Sequence, residues 1–175
     1  MYLLRRKGGG MAETMETRTA LRADDVDLGV LDETLSFFIR SINIAVTRDL
    51  NDRLGALDLA RGTGKITTLF LVENHPGIRP SVIADVILKD RSAMGRIVDD
   101  MTGAGLIRRE VAESDQRAQA LFLTDKGAEL AITVRRIVRQ SRDFFAGTDD
   151  ADYAEVLRLL RKIYWRVVTN KGIAA

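Results

Sequence analysis

Between Asp90 and Gly127 the chain changes character three times within a short span. An amphipathic helical pattern carried by Met94, Ile97, Val98 and Met101 stops at Gly103 and Gly105. Two short apolar runs follow, Leu106, Ile107 and Val111, then Ala120 to Leu123, with the polar stretch AESDQR between them. Helical spacing then resumes through Ala128, Ala131, Val134 and Val138, with Thr124 or Asp125 placed to cap it. A two-stranded hairpin is too small to be stable alone, so this pair must lean on a helical core. Upstream, Pro80 suits the first turn of a short helix whose apolar side is Val82, Ile83, Val86 and Ile87, and a turn is expected near Lys89. Asp90 is the expected N-cap of the next helix. Two short helices joined by a turn and followed by a hairpin form a helix-turn-helix unit with a wing.

The flanks are helical as well. Leu31, Leu35, Phe38, Ile42, Val46 and Leu50, widened by Ile39, recur at helical spacing and predict a long amphipathic helix from Leu31 to Leu50. Its stripe packs either within one subunit or against a second copy. Residues 51–60 read as a shorter helical or irregular segment, and Gly62 with Gly64 as a turn. Ile66, Leu69, Phe70 and Val72 predict a buried helix ending before Pro76. After Gly147 and the acidic TDDAD run, Asp150 or Asp152 is placed to cap a final helix carrying Val156, Leu159, Leu160, Ile163, Trp165 and Val167.

Composition narrows the chemistry. Among 175 residues, 27 Lys and Arg oppose 25 Asp and Glu, so the formal charge of +2 is weak evidence for any partner and the distribution has to carry that case. Without cysteine there is neither a disulfide nor a thiolate metal site, and the single histidine, His75, rules out a histidine cluster. No metal and no cofactor is expected. RGTGK lacks the GxxxxGK[ST] spacing of a phosphate loop, and no compact nucleophile, base and orienting group is visible, so the chain does not read as an enzyme. No apolar run approaches the roughly 20 residues that span a bilayer, and MYLLRRKGGG lacks a secretory pattern. A cytoplasmic protein without a membrane partner is the simplest reading. Residues 1–26 read as a mobile arm, in which Arg5, Arg6 and Lys7 are either solvated or in reach of phosphates.

A helix seated in a DNA major groove needs exposed polar residues at its entrance and apolar ones behind. Arg91, Ser92 and Arg96 are the candidates for base or phosphate contact, and Ala93 is small enough to lie close to the duplex or against a thymine methyl. The bland alternative is an ordinary surface helix. In the wing, Arg117 near the tip is the stronger candidate for a minor-groove or backbone contact, with Asp115 orienting it. Arg108 and Arg109 serve either as DNA contacts or as solvated strand residues.

Three segments together resemble the MarR family of winged helix-turn-helix regulators: DQRA at Asp115 to Ala118, LTDKG at Leu123 to Gly127, and MTGAGLIRRE at Met101 to Glu110. The likeness centres on about residues 69–127 and extends over about 28–168. It implies a mainly α fold with a small β-hairpin wing. Residues 61–124 would form the DNA-binding domain, and residues 28–60 with 125–168 a helical dimerisation region. It also implies a homodimeric repressor on a pseudo-palindromic double-stranded DNA site, responsive to a small aromatic or phenolic effector. Phe37, Phe38, Tyr164 and Trp165 are weak effector candidates set against core or dimer packing, and His75 reads as a helix-terminus residue. HPGIRPSVIADVILKD departs from the family pattern, since no glycine stands in the turn between the two motif helices. The competing reading is a small-molecule or protein-interaction module that keeps the scaffold without specific DNA binding.

Overall fold

The structure, a computed structural model, describes residues 21–55, 57, 59, 63–112 and 115–171. It divides into two compact units, residues 1–38 and residues 39–175. In the first, Ala23–Asp25 and Gly29–Leu31 are single 3-10 turns. Gly29 has φ +52°, and its N–H donates to Asp27 Oδ1 at 2.8 Å. Leu31 closes the second of these turns, with its N–H donating to Leu28 O, so α1 spans Leu35–Leu54 instead of starting at Leu31 as periodicity suggests.

Five further helices and one hairpin follow: α2 Thr63–Asn74, α3 Pro80–Val86, α4 Arg91–Gly103, β1 Ile107–Ala112, β2 Asp115–Leu123, α5 Asp125–Gln140 and α6 Asp150–Lys171. Gly64 lies inside the first turn of α2, not in a loop. A Cβ there would meet Ile97 Cδ1 at 2.9 Å, so the glycine lets α2 close on α4. One buried cluster joins α2 (Ile66, Leu69, Val72), α3 (Ile83), α4 (Met94, Val98, Met101), the hairpin (Ile107, Leu121) and α5 (Ala131, Val134). Leu54 from the end of α1 is buried in it.

β1 and β2 are antiparallel, with Ile107 opposite Leu123 and Arg109 opposite Leu121. The ladder is irregular between Val111 and Ala112, where Ala112 pairs with Asp115. That bulge absorbs extra residues of β2, so Asp115 to Arg117 belong to the strand instead of the connecting loop. Ahead of α3, Gly77 N–H donates to Leu121 O and Leu121 N–H to Ile78 O, which hangs the helix-turn-helix on the sheet. The sequence expectation for the last cap is also corrected. Asp149 Oδ1 accepts from Asp152 N at 2.8 Å and caps α6, while Asp150 pairs with Arg142.

Candidate nucleic-acid interface

Helix α4 begins where expected. Asp90 has extended backbone and its carboxylate accepts from the Ala93 N–H at 2.7 Å. That hydrogen bond, which outweighs the opposing desolvation and is helped by the charge of Arg96, holds the Asp90 carboxyl below the usual carboxylate range. The turn that aims α4 is unusual. Leu88, between α3 and α4, has φ +56°, a left-handed conformation that favours glycine, so the turn forms without one at the cost of a strained leucine.

Arg91, Ser92 and Arg96 are exposed on α4, Ala93 is half-buried beside them, and no ion pair engages Arg91 or Arg96 among the described residues. The two strand arginines are differently employed. Arg109 pairs with Asp99 of α4, and Arg108 pairs with Glu110 while its guanidinium lies 4.7 Å from the centroid of the Phe122 ring. Arg109 thus braces the wing against α4, an arrangement that also neutralises Asp99. Lys65 of α2 does the same for Asp100 at 2.9 Å. Asp115 and Arg117 stand in β2, and their side chains lie outside the described residues. Arg91 and Arg109 meet at a cleft of about 200 Å³ that also takes in Ser81, Gly95 and Gln119. Sequence reasoning named neither Ser81, Gly95 nor Gln119, because the contact joins three separate elements.

The LTDKG segment locks the exit of α4 to the entry of α5. Thr124 accepts from the Gly127 N–H as N-cap, and its hydroxyl lies 2.6 Å from the Gly105 carbonyl oxygen, to which it donates. Lys126 Nζ donates to Ala104 O at 2.8 Å, just past the negative end of α4. A Cβ on Gly127 would stand 2.0 Å from the Leu106 carbonyl oxygen, so only glycine fits.

On another side of the helical core, a cleft of about 750 Å³ is lined by Leu71, His75, Ile78, Val82, Tyr164 and Trp165, among others. Tyr164 and Trp165 make an edge-to-face pair, and the Tyr164 hydroxyl donates to Val86 O, 2.7 Å away. Phe37 and Phe38 form a separate edge-to-face pair at the start of α1.

Residues 62–118 match the model of the MarR family, which covers α2 to the start of β2. A protein of Thauera aromatica assigned as a transcriptional regulatory protein for the hcr operon is 32% identical over 97 residues, 55% of this chain; the match spans 58% of that relative's length. The transcriptional repressor CouR bound to a 23-mer DNA duplex superposes with a TM-score of 0.70 at 24% identity, covering 79% of this chain and 97% of that one. CouR from Rhodococcus jostii RHA1 bound to p-coumaroyl-CoA gives 0.67 at 20% identity, covering 77% and 94%. These likenesses to solved structures show a shared winged-helix fold.

Proposed function

We propose that the protein is a homodimeric, sequence-specific DNA-binding repressor of transcription of the MarR kind, the family whose model residues 62–118 match. The observation that carries this reading is the exposed set Arg91, Ser92 and Arg96 at the capped entrance of α4, beside a wing that is braced to the same helix. Acidic Asp99 and Asp100 on α4 have cationic partners, which removes the main electrostatic objection to a phosphate-lined groove. Arg91, Ser92 and Arg96 read base edges or phosphates, Ala93 lies close to the duplex or against a thymine methyl, and Arg117 contacts DNA from the wing with Asp115 orienting it.

The second copy is called for by α6. Val156, Leu159, Leu160, Ile163, Trp165 and Val167 are all exposed, and no described residue of this 22-residue helix is buried. Ile39, Ile42 and Ile44 of α1 are exposed as well. An apolar face of this extent is the mark of an interface. A twofold dimer sets two reading helices about 34–36 Å apart, one DNA turn.

The cleft between α2, α3 and α6 takes a small aromatic effector, with Tyr164 and Trp165 as its contacts. Support comes from its size and apolar lining and from two solved structures of proteins named CouR, one bound to a DNA duplex and one, from Rhodococcus jostii RHA1, bound to p-coumaroyl-CoA. Tyr164 spans the cleft and the end of α3, so an occupant that moves the ring alters the aim of α4.

Selection of genomic fragments by the purified protein at physiological salt, with unrelated duplex as competitor, tests the reading. A shared near-palindrome supports it; no enriched sequence from folded protein contradicts it.

A further inference from the structure

Glycine inside a helix costs stability relative to alanine, so each one needs a reason. Four glycines fall within α-helices among the described residues, and two are required by their neighbours: Gly64 admits Ile97 and Gly127 admits the Leu106 carbonyl. Gly103, in open space, is the last residue of α4, where the helix loses least by it. Gly95 has neither reason. It sits in the middle of α4 with ordinary helical backbone, it is exposed, and a Cβ added there would meet nothing within 4 Å. No described residue requires the missing side chain.

The surroundings of Gly95 indicate what does. Arg91 and Ser92 precede it by one helical turn and so share its face, Arg96 is its neighbour, and Gly95 itself forms part of the cleft between Arg91 and Arg109. We propose that Gly95 is a specificity-determining position, where the edge of a base pair approaches the α4 backbone too closely for a side chain. The floor of the groove then lies nearest the helix at Gly95, with Arg91 and Ser92 reaching base edges on one side of it. This rests on the DNA-binding reading above.

The two roles of a glycine predict opposite signs for one substitution. Gly95→Ala removes the helix penalty without an internal clash, so Tm rises by about 2–4 °C. The added methyl overpacks the DNA contact, and affinity for the selected duplex falls about ten- to a hundredfold. Retention of unrelated duplex at low salt, governed by phosphates, stays within about twofold. A more stable protein that has lost its selected site supports the proposal. Unchanged affinity for that site, or an equal loss on both duplexes, overturns it. If the wild-type protein selects no duplex at all, the DNA-binding reading fails first, and the two failures are thereby told apart.

Discussion

The helix-turn-helix with its wing and the C-terminal helix α6 solve the same packing problem in opposite ways. From α2 to α5 each element buries its apolar side in one shared cluster, and the polar junctions are closed internally by Thr124, Lys126 and the Asp99–Arg109 pair. α6 is comparably apolar along one stretch yet leaves Leu159, Leu160, Ile163 and Val167 in solvent. The wing region thus closes on itself, whereas no described residue buries the apolar stretch of α6. Tyr164 is a direct polar tie between the two, joining α6 to the last carbonyl of α3.

The largest effect expected from breaking this contrast comes from α6. Leu160→Asp with Ile163→Asp introduces two charges into the proposed interface, so sedimentation should show a monomer with its winged region folded. Affinity for the selected duplex should fall at least about a hundredfold, because each half-site is then bound independently. A dimer that survives both charges would remove α6 from the interface.

Within the wing region the sharpest probe is Gly127→Ala, which sets a methyl against the Leu106 carbonyl. A loss of about 1–3 kcal/mol in denaturant unfolding is expected, since both partners are backbone. An unchanged midpoint would mean that the junction yields freely. Tyr164→Phe tests the tie itself. Losing the hydroxyl should cost about 1 kcal/mol and speed amide exchange between Ile83 and Met94, with the dimer intact. Exchange that is unaltered there would show the tie to be idle. Smallest is Leu88→Gly, where relief of the left-handed leucine outweighs the added unfolded-state freedom, for a net gain of about 0.5–1 kcal/mol in thermal or chemical unfolding. A loss of stability instead would place the value of Leu88 in its packing.

Much of this was legible in the residues. Helical spacing, Pro80 at a helix start, Asp90 and Thr124 as caps and the glycine stop after α4 are local signals, and each element lies close to where they put it. Long-range geometry was not. The Leu88 turn is invisible because leucine carries no left-handed signature, and the reach of β2 depends on a bulge that periodicity does not encode. Arg108 and Arg109 look alike in sequence, yet one sits over Phe122 and the other reaches across to Asp99, ten residues earlier. Gly95 reads as a weak helix residue until the space around its Cα is known.

The central claim is that two copies, joined through α6, read one duplex with two α4 helices. Sedimentation of the protein on its selected duplex, with hydroxyl-radical footprinting of the same complex, tests it most directly. Two chains per duplex and two protected major-groove patches about one helical turn apart are predicted. One chain per duplex, or a single protected patch, would contradict the claim.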